Sequence, residues 1–411
     1  MIHNYTVKNF YSIGDEIKVD LESRKEAISA PELYLNAPLG KKITKIEFIG
    51  GPNASGKTNV LRALAFLRFM IVDSAEQIKK SDDMPFQPFY PYHDKPAELS
   101  VTFSMKNDDE IYKYYLKLDA KKILEEQLDR VYFKKERSAT ANVFIRKWVG
   151  KNRGYYTKMT DHMSTIKQMT VIDSLLKENS QISFVSLFNK YDLEKGLLRR
   201  ITNYWDNVVS NAMMIGSTES EFSLTQISSE VLGEIFDQEK IREKMEHMLR
   251  KYDIGFSDIA KQEKVGPNQD QVIYGILHHY RGSEFGVPMY GESNGTKRLI
   301  ILMRNILTAL MAGGVAVIDE IDAFLHPDIY DEIIEMFMST ETNENGAQLI
   351  FSSHNYTTLT SLDKQQITFT QKNESGQTEV WRLDDVQGVR PDDNFYTKYL
   401  TGAYGATPKI G

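Results

Sequence analysis

Gly51-Pro52-Asn53-Ala54-Ser55-Gly56-Lys57-Thr58 meets the pattern G-x-x-x-x-G-K-[ST] in full. It is preceded by Ile43 to Ile49 (ITKIEFI), rich in β-branched residues and read as a strand. It is followed by Val60, Leu61, Leu64, Phe66 and Leu67, spaced mostly three and four apart, as on a helix. Strand, glycine loop and helix are the setting a phosphate loop requires. The glycines let backbone N–H groups turn inward around phosphate oxygens, and the helix adds its positive end. Lys57 supplies a point charge to the β and γ phosphates. The Thr58 hydroxyl is a hard oxygen ligand for Mg²⁺. Gly51 through Asn59 are therefore the candidate residues for ATP or a similar nucleoside triphosphate.

Outward from the loop, Gly314-Val315-Ala316-Val317-Ile318-Asp319-Glu320 is an apolar run ending in two carboxylates. Such a run predicts a central parallel strand buried on both faces, and ligands gather at the carboxyl ends of such strands. Asp319 is the candidate for Mg²⁺, and Glu320 the candidate to polarise an attacking water. An ordinary strand end followed by a solvated turn is the plainer alternative.

Tyr290-Gly291-Glu292-Ser293-Asn294-Gly295-Thr296-Lys297-Arg298 resembles the signature motif of ABC-type ATPases, in the form of their structural-maintenance-of-chromosomes and RecF-like branch. Glu292 stands where that pattern has leucine, and Thr296 where it often has glutamine. Glu292 brings a negative charge toward a phosphate site. The resemblance implies that Ser293, Gly295 and Thr296 serve a nucleotide held by a second subunit. It implies a head-to-tail homodimer closing on two ATP molecules, with a higher oligomer left open. Ser293 also reads as a helix N-cap, and both roles are compatible. Asp322-Ala323-Phe324-Leu325-His326-Pro327 resembles the family's D-loop. Phe351-Ser352-Ser353-His354-Asn355 resembles its switch motif, with His354 toward the γ-phosphate and catalytic alongside Glu320. Gln87 is the candidate for the Mg²⁺-linked glutamine, with a plain loop residue as the alternative. Tyr11 replaces the basic residue often found after the family's opening Phe.

The stretches VKNFYSI, GPNASGKTN, DEIDAFLHP and the tail Val389 through Pro408 resemble compact bacterial anti-phage ATPases of the AbiL and RloA type, with the PARIS ATPase as a relative. That resemblance implies an ATPase that senses or regulates, beside a toxic effector, often a nuclease, from the same operon. A nucleic acid or a phage protein would be the trigger. Two other readings stay open: a DNA-repair or chromosome-associated ATPase that clamps nucleic acid, and a slow-hydrolysing nucleotide-dependent scaffold.

The 411 residues suffice for a large core and more than one domain. The fold class expected is α/β: an ABC-type P-loop head with an antiparallel β subdomain and an inserted helical lobe. Its expected limits are residues 1–160 for the first half of the head, 161–270 for the lobe and 271–411 for the second half. Ile2 to Phe10 suits an edge strand. A meander is expected from Leu99 to Val149, and a hairpin from Gln366 to Leu383 turning at Glu374 to Gln377.

With 41% hydrophobic and 26% charged residues the chain resembles soluble globular proteins. A net charge of -7 argues against coating nucleic acid by bulk charge. One local basic and aromatic cluster, Arg130 to Lys158, fits phosphate and base contacts, or else exposed hairpins with solvated charges. It includes Lys134, Lys135, Arg137, Arg146, Lys147, Lys151 and Arg153. Cysteine is absent, so disulfides and thiolate metal sites are excluded. The start lacks a signal-peptide pattern, and no run is long enough to span a bilayer. A cytoplasmic protein with no membrane contact is expected. The pairs Asp384-Asp385 and Asp392-Asp393 read as turn residues.

Overall fold

The structure, a computed structural model, describes residues 1–24, 31–79, 83–134, 137–150, 154–160, 169–192, 196–212, 221–252, 255–264, 271–323 and 325–407. Its centre is a six-stranded sheet. In spatial order the strands are Val208–Ser210, Val315–Ile318, Gln348–Ser352, Ile46–Gly50, Ile367–Lys372 and Thr378–Arg382. The first five run parallel and the last antiparallel. Burial on both faces explains the apolar runs. Val315, Val317 and Ile350 face one core, while Ala316, Ile318, Leu349 and Phe351 face the other. This is the period-2 alternation of a strand, with both faces dry.

The first core lies between this sheet and a seven-stranded antiparallel sheet. That outer sheet runs, in spatial order, Gly154–Met159, Arg137–Gly150, Ile123–Lys134, Ile111–Leu118, Ala97–Ser104, Ile2–Lys8 and Ile17–Asp20. The expected meander is therefore present and longer than its apolar runs suggested. Ile2–Lys8 is not an edge strand as expected: it pairs with Ala97–Ser104 on one side and Ile17–Asp20 on the other. Four residues, Ile17 to Asp20, form the edge on that side instead, with Ile17 and Val19 turned into the core. The sequence ITKIEFI also divides. Lys42–Thr44 pairs with Tyr34–Asn36, and only Ile46–Gly50 enters the central sheet.

The loop helix, Lys57–Val72, crosses the first core and buries residues around nearly its whole girth, among them Val60, Leu64, Phe66, Leu67 and Met70. Helices Phe184–Lys190 and Leu197–Asp206 pack on it. Those two lie within the stretch expected as a separate lobe, and Val208–Ser210 after them pairs with Val315–Ile318. This part of residues 161–270 is thus integral to the head. The remainder, helices Glu221–Phe236 and Glu239–Lys251 with strand Phe256–Lys264, belongs with the second core. Phe256–Lys264 pairs with Gln271–Tyr280, and that strand with Ser283–Pro288, in a three-stranded sheet leading to the 19-residue helix Asn294–Ala312. The expected hairpin is found as Ile367–Lys372 and Thr378–Arg382, with Gly376 at φ +74° in its turn. Among the described residues no helix is long and apolar enough to cross a membrane.

Candidate functional site

Three neighbouring parallel strands end level with one another. Ile318 is in register with Phe351, and Ser352 with Ile49. Their carboxyl ends therefore deliver the phosphate loop, Asp319-Glu320 and Ser353-His354 to one edge of the sheet. There a cavity of about 510 Å³ is lined by Asn53 through Asn59, Ser12, Glu320 and His354. Residues 300 positions apart in the chain meet because the strand carrying His354 inserts between the other two.

The loop is held from behind by hydroxyls. Ser55 and Thr370 share a hydrogen bond of 2.6 Å, and Thr378 donates to the Ser55 carbonyl at 2.8 Å. Ser12 bonds Thr378 at 2.8 Å and accepts from the Asn59 amide at 2.7 Å. These contacts leave no room for side chains at two glycines. A Cβ on Gly56, at φ +113°, would lie 2.1 Å from Thr378 Oγ1. A tight turn of this kind is the backbone shape that can gather N–H groups around a phosphate.

Lys57 is nearly fully buried, and its ammonium donates to the carbonyls of Gly51 at 2.9 Å and Pro52 at 3.2 Å. Burial pulls its pKa down, while the carboxylates of Asp319, Glu320 and Asp322 push it up. Asp319 accepts from the Ser352 hydroxyl at 2.5 Å, and the same hydroxyl oxygen accepts from the Glu320 N–H at 2.8 Å. Asn211, just past the short strand Val208–Ser210, grips the Asp319 backbone twice, donating to its carbonyl at 3.0 Å and accepting from its N–H at 2.7 Å. Glu320 sits at φ +49°, where a non-glycine residue is strained by about 1–3 kcal/mol. Its carboxylate lies 3.7 Å from His354 Nε2. The His354 N–H bonds the Asp322 carboxylate at 3.0 Å. Thr58 and Asp319 offer one hydroxyl and one carboxylate, a hard-oxygen set that suits Mg²⁺ completed by phosphate and water.

The other expected site residues lie elsewhere. Gln87 is exposed and does not line the cavity; its carbonyl accepts from Tyr11 N–H at 2.7 Å, and Ser12, the next residue, does line it. Tyr11 packs under the Arg62 guanidinium, 4.6 Å from its ring centre. Ser293, Gly295 and Thr296 do not line the cavity either. Ser293 is the N-cap of its helix, accepting from Thr296 N–H at 3.1 Å. Glu292 does not present its charge toward this end. Its carboxylate is turned onto His278 Nε2 at 2.6 Å and is buried there. Phe324 of the D-loop stretch lies outside the described residues.

The basic and aromatic cluster divides. Arg146 is fully buried, paired with Glu126 at 2.8 Å, and donates to the Ile182 carbonyl. Phe144 is core, Tyr155 bonds two carbonyls, and Lys147 pairs with Glu125 at 2.8 Å. Arg146 is therefore unavailable to a nucleic acid, because its charge is spent inside the outer sheet. Phe133, Arg137, Tyr156 and Lys158 are exposed. Lys135, Lys151 and Arg153 lie outside the described residues. Asp384 pairs with Arg382 at 2.7 Å and Asp393 with Lys398 at 2.6 Å, so both acidic turns are structural.

The sequence reading missed Ser12, Asn211, Ser352, Thr370 and Thr378. Their only signal is a small polar residue at a strand end or turn, which is common everywhere.

Among solved structures, the chain is similar to the SMC head domain from Thermotoga maritima (12% identity, 93% of this chain and 98% of that one, TM-score 0.40). It is also similar to the Pyrococcus furiosus Smc head domain bound to the C-terminal domain of ScpA (15%, 93% and 97%, 0.42). A third is the Pyrococcus yayanosii Smc head domain with a coiled coil and joint (13%, 98% and 99%, 0.42). No curated protein matches the chain. A family model does match, over residues 48–148 and 173–360, described as "AAA domain, putative AbiEii toxin, Type IV TA system". The matched stretches hold the phosphate loop, the acidic strand end and His354, and they make up well over half of the chain, which therefore belongs to this AbiEii-type family of P-loop ATPase domains.

Proposed function

We propose that the chain binds ATP with Mg²⁺ and hydrolyses it, in a site closed by a second copy of itself. The observation that carries this reading is the meeting of Lys57, Thr58, Glu320 and His354 around one cavity, with Asp319 fixed beside them by Ser352. Loop N–H groups and Lys57 hold the phosphates, and Thr58 and Asp319 hold the metal. Bound Mg²⁺ neutralises charge developing on the phosphates. Glu320 takes the proton of the attacking water as its oxygen bonds to the γ-phosphorus and the bond to the β-γ bridging oxygen breaks. His354 steadies the γ-phosphate and, at 3.7 Å, the Glu320 carboxylate. Glu320→Gln should retain ATP binding and lose turnover; undiminished turnover would remove Glu320 from this role.

Ser293, Gly295 and Thr296 complete the site of the opposite copy in this reading. Support comes from their place at the exposed start of a long helix, outside their own chain's cavity. A helix N-terminus of this kind suits a phosphate.

The nucleotide cycle then governs a toxic effector, a nuclease in the simplest case, in cytoplasmic anti-phage defence. A nucleic acid or phage protein is the trigger. Support is the resemblance of the four sequence stretches and the family's toxin–antitoxin description. Co-purification from the native operon tests it: a toxic nuclease partner fits, and a recombination protein overturns it.

A further inference from the structure

Tyr356 lies two residues past His354, at the start of the 3₁₀ turn Tyr356–Thr360. Its hydroxyl accepts from the Gly51 N–H at 3.0 Å and donates to the Gly51 carbonyl at 2.8 Å. One side chain thus satisfies both polar groups of the first glycine of the phosphate loop. Gly51 itself, at φ +148°, has no space for a side chain: a Cβ would lie 2.3 Å from the Thr370 carbonyl oxygen. The Gly51 carbonyl is shared with Lys57 Nζ at 2.9 Å. The Lys57 ammonium has three donors, so it can turn toward a phosphate without giving up every loop carbonyl. The Tyr356 hydroxyl keeps the buried Gly51 carbonyl satisfied wherever the ammonium points.

The ring that carries this hydroxyl is fixed from the C-terminal end of the chain. Tyr356 stacks on Tyr399 with centroids 4.2 Å apart and planes 19° apart, and meets Phe48 edge-on at 5.7 Å. Tyr399 stacks in turn on Phe369 at 5.3 Å, and its hydroxyl donates to the Ala406 carbonyl at 3.0 Å. The Ala406 N–H bonds Gln371 Oε1 at 3.0 Å. Gly51, Asn53, His354, Tyr356, Lys372 and Tyr399 border a second cavity, of about 670 Å³, which shares Asn53, Ser55 and His354 with the first. The tail therefore lies against the phosphate loop.

We propose that Tyr356 is a positioning residue that clasps the phosphate loop, and that the C-terminal segment from Phe395 to Ala406 sets its place through Tyr399. This rests on the ATP-binding reading and deepens it. A clasp on the loop acts on bound substrate and transition state alike, so it tunes affinity rather than the chemical step.

The test is Tyr356→Phe in the full chain, which removes the hydroxyl and keeps the stacked ring. Fluorescent ATP and ADP analogues give Kd, and steady-state turnover gives kcat and KM. Two net hydrogen bonds correspond to roughly a tenfold rise in Kd for both nucleotides. KM should rise with it, kcat should stay within about twofold, and the melting temperature without nucleotide should fall, since both hydrogen bonds are already made in the free chain. Tyr399→Leu leaves the hydroxyl but removes its support, and should raise Kd in the same direction by less. Should Tyr399→Leu fail to fold, Tyr356→Phe decides alone. Wild-type affinity in Tyr356→Phe, or a loss of kcat at constant KM, overturns the clasp. The control is Lys57→Ala. If wild type binds nucleotide and Lys57→Ala binds it about a hundredfold more weakly, an unchanged Tyr356→Phe refutes only the clasp. If wild type binds neither analogue, the nucleotide reading falls and the clasp with it.

Discussion

The phosphate loop and the signature turn are both glycine-bearing starts of long helices, yet they are supported in opposite ways. Behind the loop, Ser12, Thr370, Thr378 and Tyr356 fill its hydrogen-bonding groups, and its helix is buried around nearly its whole girth. At the signature, Ser293 caps its own helix, Tyr290 is 71% exposed, and Ser293 and Asn294 face solvent. One region is finished by its own chain and the other is presented outward. In the proposed reading this contrast is what a site shared between two copies needs: the half proposed to bind nucleotide is hydrogen-bonded in place by its own chain, and the half proposed to close over it is left uncovered. The pair of His278 and Glu292 fits this, since it withdraws a carboxylate from the exposed turn.

The largest effect expected on the rigid half is at Glu320. Glu320→Gln should lower kcat by roughly 10²–10⁴-fold with ATP affinity kept. Equal loss in binding and turnover would mean that the strained Glu320 backbone serves the fold and not the chemistry. Next, Lys57→Ala should weaken ATP by about a hundredfold in direct titration, the scale of a lost charge-assisted contact. A change of less than about threefold would show that the buried ammonium serves only the loop carbonyls.

The strand that feeds the loop also carries a cost. Glu47 is fully buried beside Thr368, and burial pushes its pKa from 4.5 up to about 8, against the pull of the Thr368 hydroxyl and Arg382. A raised carboxyl favours the fold when protonated. That contribution is complete below pH 4.5 and is lost as pH rises through 8. Glu47→Gln should therefore change stability little near pH 4.5 and raise it by roughly 2 kcal/mol or more near pH 8, read by urea unfolding at both. A pH-independent difference would mean that Glu47 is ionised in the fold. Smaller again, Ser352→Ala removes the hydroxyl joining Asp319 and Glu320 and should cost about tenfold in turnover. Loss of Mg²⁺ dependence of binding would be its signature, and unchanged Mg²⁺ titration would limit Ser352 to packing.

Ile46–Gly50 and Val315–Ile318 could be read from sequence because they are short runs rich in apolar residues, closed by glycine or acid. Val315–Ile318 and Gln348–Ser352 are found where their patterns put them. Alternation in Ile2 to Lys8 reveals a strand but not how many neighbours it has, hence the mistaken edge. Val208–Ser210 is too short to show a period, and helical periodicity does not say which sheet a helix covers. The lobe was therefore read as separate where it is partly integral. In the site, the loop residues, Glu320 and His354 are read toward the cavity they line because a glycine pattern or an apolar run marks where each sits. Tyr356, Asn211 and Ser352 are not, because each owes its role to a partner that only folding brings near. Arg146 shows the converse: a basic residue in a basic run whose charge is answered inside the sheet.

The contrast between the two regions is tested most directly by the particle mass of Glu320→Gln, measured by light scattering with and without ATP and Mg²⁺. A monomer is expected alone, a dimer with ATP and Mg²⁺, and no dimer when Ser293→Arg is added, although that double variant should still bind ATP at the loop. A mass unaffected by nucleotide, or a dimer that survives Ser293→Arg, would contradict a site shared between two copies.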